Sequence, residues 1–426
     1  MGNNGALEQD SAERQDRRAF RAVAVLAVLI LLGACQTTAP NRQASPPGGS
    51  PAPSGQPVLG VDWRRAASLD RPANFLESVP PDYLSNHPIL RVAGQAIMTD
   101  VASGRGGNLV AIGYAPPDWL PIAWTSSDGN SWSIHAMGSD VDTFPMGVAV
   151  GADGTQVAVG RSGKQPVAWT SADGATWREH PVPVLSESGV AERLTAIVAT
   201  DKGYLAGGSA GPELGARRAR FWRSVDGANW IVVPDDAETF ADAEVRAITT
   251  FDGGLVAVGV VGSAQKPTGA VAWLSADGIR WTRIKDLSFE GASAVSGVAA
   301  PFGGLVAVGS TVDRQAAVVW RSPDGRAWTR SPSGPSLEDP GFVWMTDAVA
   351  VGKIVVAVGA YQPDQRGTAV SWTSGDGVTW ERAAPAAVQE QAEFTAITPG
   401  GPGAVAVGDF GLPDSSVPTV WLTPGR

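Results

Sequence analysis

One nine-residue pattern recurs six times. It has a tryptophan, a serine two positions on, an Asp-Gly pair, and a second tryptophan eight positions after the first. It reads WTSSDGNSW (124–132), WTSADGATW (169–177), WRSVDGANW (222–230), WLSADGIRW (273–281), WRSPDGRAW (320–328) and WTSGDGVTW (372–380). A short β-type run ending in Ala-Val-Gly, or a near variant, precedes each copy and recurs once beyond the last. Its glycines are Gly113, Gly160, Gly208, Gly259, Gly309, Gly359 and Gly408, spaced 47, 48, 51, 50, 50 and 49 residues apart. Units of this size made of several short strands cannot bury a core alone. Side by side they bury a continuous one, and a period of 40–50 residues marks a β-propeller.

Each unit reads as four strands. In 245–281, VRAITT alternates and is β-branched, Asp252-Gly253-Gly254 turns the chain, and LVAVGV follows as a second strand. AVAWLS is the third, Asp277-Gly278 turns again, and Trp281 opens the fourth. Asp-Gly suits a two-residue hairpin that needs positive φ. The seventh unit stops after its third strand, at Val420-Trp421-Leu422-Thr423, while Val61-Asp62-Trp63 resembles the segment that follows each Asp-Gly turn. The expected fold is therefore all-β: a seven-bladed propeller of four-stranded blades over 59–426, its ring closed by pairing of the N-terminal strand with the C-terminal blade. Closure removes sheet edges that would otherwise aggregate.

The SxDGxxW hairpin resembles the Asp-box of sialidase-like (BNR) β-propellers, although here Gly follows Asp directly, one residue sooner than in the usual box. The resemblance implies a structural turn role for Asp128, Asp173, Asp226, Asp277, Asp324 and Asp376. It does not carry that family's chemistry, which implies three arginines on a substrate carboxylate, a Tyr/Glu nucleophile pair and an Asp acid/base. No Arg-Ile-Pro-type segment is present, with Arg71-Pro72 the nearest, and the four tyrosines (Tyr83, Tyr114, Tyr204, Tyr361) assign no Tyr/Glu pair. No catalytic residue is expected.

The N-terminus reads as an address. Arg14, Arg17, Arg18 and Arg21 precede an uncharged run from Ala22 to Ala34, too short to span a bilayer comfortably and suited to the apolar core of a secretory signal. Leu32-Gly33-Ala34-Cys35 resembles the lipobox of bacterial lipoproteins. The resemblance implies cleavage after residue 34, a diacylglycerol on Cys35, and anchoring to the outer surface of the cytoplasmic membrane or to the outer membrane, depending on the envelope. The Pro/Ser/Gly-rich stretch that follows, through residue 58, is a semi-extended tether.

Net charge is −10, which excludes a nucleic-acid partner that would need basic clusters. With one cysteine, three dispersed histidines and no DxDxDG loop, no metal or other cofactor is expected. The loops joining second to third strands, and each blade to the next, share one face and vary most, and binding concentrates in such loops. Fourteen of the sixteen tryptophans belong to the repeat; Trp119 and Trp344 do not, and both fall in segments read as loops of the variable face. Trp119 and Trp344, with Tyr114, Tyr361 and Asp118 nearby, are the candidate ligand or partner residues. Acids including Asp140, Asp142, Asp242 and Glu244 are expected to form a solvated rim. Arg246 and Asp347 read as equivalent positions lining the central channel. The expected function is a monomeric, non-catalytic envelope binding or scaffolding module for a protein or glycan. The alternative is a sialidase-like or other glycoside-processing hydrolase with a diverged site.

Overall fold

In this computed structural model each repeat is one antiparallel sheet, and seven sheets close a ring. The structure describes the paired segments Arg64–Arg65 and Ser68–Leu69 and, apart from short stretches between strands, residues 96–423. Cys35, the signal segment and the tether lie outside the described residues, as do Val61, Asp62 and Trp63. The blades cover 97–136, 143–181, 191–232, 243–284, 293–330, 342–383 and 392–422, numbered 1 to 7. Their first strands are Ile97–Ser103, Thr143–Val150, Ala191–Thr200, Ala243–Phe251, Ser293–Ala299, Phe342–Val351 and Ala392–Gly400. These strands line the central channel, and the fourth strands lie at the rim.

The Ala-Val-Gly glycine has a steric cause. Every first strand carries a β-bulge where it passes the second, between Met98 and Asp100 in blade 1 and Val245 and Ala247 in blade 4, for example. The bulge pushes a first-strand carbonyl against the second strand. A Cβ on the opposing glycine would lie 1.9 Å from the oxygen of Ile97 at Gly113, of Arg193 at Gly208, of Glu244 at Gly259 and of Glu393 at Gly408. Only glycine fits there. The bulged residue then turns its side chain toward the next blade. Thr99 Oγ1 donates to Pro145 O at 2.8 Å, Thr195 to Val245 O at 2.6 Å, Thr346 to Phe394 O at 2.8 Å and Thr395 to Met98 O at 2.9 Å. Arg246 holds this position in blade 4, whereas Asp347 lies one residue past it, so the two are not equivalent as the sequence suggested.

The Asp-Gly turns are longer than a two-residue hairpin: in blade 3 the chain leaves the third strand at Ser224 and rejoins at Trp230. Ser224 Oγ accepts from Gly227 N at 2.8 Å, and Asp226 Oδ1 accepts from Ala228 N and Asn229 N at 2.9 and 2.8 Å. The glycine sits at φ 75°, the left-handed region that the Asp-Gly pair anticipated. Trp230 Nε1 donates to Gly227 O at 2.8 Å, so the second tryptophan seals the turn it follows. The serine and aspartate bonds recur at Asp128, Asp173, Asp277, Asp324 and Asp376, and the tryptophan bond at Trp132, Trp177, Trp328 and Trp380, whereas Trp281 Nε1 lacks it. Amide donors hold Asp173 near a pKa of about 2.

The first tryptophan of each box, including Trp124, Trp222 and Trp372, is fully buried between blades and fills the interblade core. The ring closes with Arg64 opposite Leu422 and Arg65 opposite Trp421, an antiparallel fourth strand for blade 7. The chain then crosses to blade 1, where Ser68–Leu69 adds a parallel fifth strand beside Ser131–Trp132. This second staple has no counterpart in the repeat, and spacing alone did not reveal it.

Candidate functional site

The residue two positions before the bulged one sits near the start of the first strand, at the variable-face mouth of the channel. Around the ring these residues are Ile97, Phe144, Arg193, Glu244, Ala294, Trp344 and Glu393. Each pairs with the residue that follows the conserved glycine: Tyr114, Arg161, Ser209, Val260, Ser310, Ala360 and Asp409 respectively. One backbone constraint therefore sets two concentric rings of freely variable side chains.

Blades 3 and 4 build an arginine cluster on this frame. Glu244 is buried and accepts from Arg193 at 2.5 Å and from Ser209 Oγ at 3.2 Å, with Arg217 at 3.5 Å and Arg246 at 3.4 Å. Burial alone would raise the Glu244 pKa. The guanidiniums of Arg246, Arg193 and Arg217 overcome that and hold it at about 2. Glu244 is thus not part of a solvated rim. Charge matching from the preceding blade made burial tolerable, and the loop-like composition of 231–244 concealed it. Arg217 is wholly buried, while the side chains of Arg193 and Arg246 remain 15% and 30% exposed.

Blades 5 to 7 continue the mouth. Arg314, in a left-handed turn at φ 58°, lies 4.8 Å over the ring of Trp344. Trp344 Nε1 donates to Glu393 Oε1 at 2.8 Å. Burial, then the charge of Asp409, raise the Glu393 pKa to about 7 against the opposing pull of the Trp344 bond and Arg314. Arg314 is pushed down by burial and by Arg246, with Glu393 as its counter-charge. Trp344 lies inside a strand rather than a loop, because the first strand of blade 6 extends from Phe342, upstream of the bulge.

Blade 1 contributes Tyr114, whose phenol is raised to about 12 by burial and by Asp409, with Arg161 opposing. Trp119 sits in the left-handed region at φ 56°. Its ring stacks on Phe144 at 5.7 Å and meets Tyr114 edge-on at 5.6 Å. Asp118 acts through its backbone: its carbonyl accepts from Asp142 N, and that of Trp119 from Thr143 N, each at 2.9 Å. This loop is pinned to blade 2. Tyr361 turns away, packing on the blade 5–6 core with Arg382 4.9 Å over its ring. The structure therefore joins Trp119 with Tyr114 and places Trp344 in a separate group beyond blade 7. Arg193, Arg246, Arg314 and Glu393 were missed as site residues; Arg193, Arg246 and Glu393 hold positions set by the repeat glycine, whereas Arg314 lies in the turn between second and third strands and carries no such signal.

Deeper in the channel, Asp100 and Asp347 stand where other blades carry Gly147, Ala196, Ala247, Gly297 and Ala396. Asp100 accepts from Val101 N and, across the blade junction, Val148 N, both at 2.8 Å. Asp347 does the same with Ala348 N at 2.8 Å and Ile397 N at 3.0 Å. Burial, then the charge of Asp347, raise Asp100 to about 7; burial raises Asp347 to about 6.

No family model matches the chain, and no curated protein matches it in sequence. Among solved structures it is similar in fold to YCF48 bound to a D1 peptide (14% identity, TM-score 0.49, 77% of this chain and 92% of that one). It is similar to a Trypanosoma rangeli sialidase (12%, 0.48, 85% and 60%) and to the phage phi92 endosialidase (10%, 0.48, 86% and 70%). The chain thus spans less than two thirds of the length of the Trypanosoma enzyme. At these identities the likeness is one of fold.

Proposed function

We propose that this chain is an exported, lipid-anchored binding module, held to the membrane through Cys35 and the tether to residue 58, that engages an envelope protein or glycan at the channel mouth. The observation that supports it most is the convergence of Arg193, Arg246, Arg314, Trp344 and Glu393 from five consecutive blades. In a chain of net charge −10, this sector carries four guanidiniums, Arg217 included, against the three carboxyl groups of Glu244, Glu393 and Asp409. It suits an anionic group beside an aromatic platform. Cross-linking in intact envelopes, read by mass spectrometry, tests this. A specific partner should be captured by the native chain and lost with Arg314→Ala/Trp344→Ala. Capture unchanged by that pair removes the proposal.

The alternative, a glycoside-processing hydrolase, draws on Glu393, a carboxyl poised near neutrality as a general acid would be. Against it, Tyr114 is held as a neutral phenol, the opposite of an activated nucleophile. Glu393→Gln separates the two: loss of turnover on a glycoside with capture retained supports a hydrolase.

A further inference from the structure

Three side chains break the repeat on the opposite face, where the Asp-Gly turns lie. Val225 stands where the other complete boxes carry Ser127, Ala172, Ala276, Pro323 and Gly375. Ile231 follows the second tryptophan, a position held elsewhere by Ser133, Arg178, Thr282, Thr329 and Glu381. Phe251 ends the blade 4 first strand, and no other blade has an aromatic there. Val225 is 80% and Ile231 58% exposed. All three border one crevice of about 460 Å³ between blades 3 and 4, whose apolar wall includes Leu205, Trp230 and Leu255.

The register adds charge to this surface. Leu205 pairs with Arg223, and Arg223 with Ile231, so the three form one row across blade 3. Arg223 and Lys202 are exposed on the crevice rim, and neither forms an ion pair among the described residues; Asp201, Asp252 and Asp277 line the same crevice at its turns, Asp277 paired with Arg280, while Arg223 stands beside the edge strand itself. The fold itself shows what such an edge accepts. On blade 1 the equivalent edge, Ser131–Trp132, takes Ser68–Leu69 as an added parallel strand. On blade 3 the corresponding edge is Trp230–Val232, the last strand of its sheet among the described residues.

We infer that blade 3 takes an extended segment of a partner protein, laid parallel to Trp230–Val232. An aliphatic side chain of that segment enters the crevice, and an acidic residue meets Arg223 and Lys202. Strand addition supplies main-chain bonds, the crevice selects the side chain, and the free cations select its flank. This surface is distinct from the channel mouth, so a chain holding one ligand at the mouth could carry a second protein on its other face.

The test is a random heptapeptide phage library selected on the full chain, with the enriched peptides then synthesised for anisotropy titrations. The expected consensus pairs an acidic with an aliphatic residue. Val225→Ser/Ile231→Ser installs the residues blade 1 already carries there, so the fold is kept, and binding should weaken about tenfold or more. Arg223→Glu should weaken it similarly, whereas Arg246→Ala/Arg314→Ala should leave it unchanged. No consensus, or equal affinity for the serine variant, overturns the inference. So does concentration-dependent doubling of mass that the serine variant abolishes, since a second copy would then be the occupant.

Discussion

Asp100→Ala should flatten the dependence of stability on pH. Alanine already occupies the equivalent channel position in blades 3, 4 and 7, so the backbone accommodates it. The folded Asp100 carboxyl titrates near 7, because burial and the facing Asp347 disfavour its charge. In the unfolded chain it returns to about 3.9. A pKa raised by folding means that the folded state holds the proton more tightly. The contribution is therefore full below about pH 4 and is lost as pH rises through 7. The difference corresponds to about 4 kcal/mol for this group as a ceiling. Glu393 titrates in both proteins and cancels. The assay is urea unfolding followed by tryptophan fluorescence at pH 5 and pH 8. Because the unfolded carboxyl is already ionised at pH 5, the native chain should lose about 2.5 kcal/mol more than the variant between the two pH values. Parallel losses would show that the carboxyl pair is solvated in the channel and would refute the reasoning.

Deleting 59–66 should lower the unfolding free energy by about 2 kcal/mol or more, because the Arg64–Arg65 pairing with Trp421 and Leu422 is lost; an unchanged urea midpoint would argue against ring closure by this segment. Gly259→Ala should cost about 3 kcal/mol or more, since its Cβ would sit 1.9 Å from Glu244 O, whereas Gly375→Ala, with nothing near its Cβ, should stay within about 0.5 kcal/mol; paired unfolding curves decide. Asp173→Ala should cost about 1 kcal/mol by freeing the amides of Ala175 and Thr176, a loss that protonation below pH 2 should reproduce in the native chain. Glu244→Gln should cost about 3–5 kcal/mol, because three guanidiniums lose their buried counter-charge, with the largest loss at neutral pH.

The propeller was legible because its constraints repeat. The second-strand glycine answers one clash, the Asp-Gly turn one set of amides, and each recurs about every 50 residues. Closure was legible from a missing strand and a spare one. The site was harder to read because it occupies positions the repeat leaves free. Arg193 and Glu244 are 51 residues apart, and Trp344 and Glu393 are 49 apart, so each pair is one blade apart and invisible to any local window. Trp344 reads as a loop residue in the sequence because its strand starts upstream of the repeated core. Asp100 hides in a position that is otherwise small, and only burial reveals its altered chemistry. Trp119 stood out by composition, yet its ring lies on Phe144 of the next blade, a contact that only the fold creates.

The most direct test of the binding account is where the captured partner touches the chain. Ala294 occupies the inner ring of the mouth in blade 5, and Gly375 lies on the opposite face in blade 6. A photo-reactive amino acid placed at each position in turn, in intact envelopes, reports contact at that face. A discrete adduct is expected from position 294 that disappears with Arg246→Ala/Arg314→Ala, and none from position 375. An adduct from 375 alone, or one from 294 indifferent to the arginine substitutions, would contradict it.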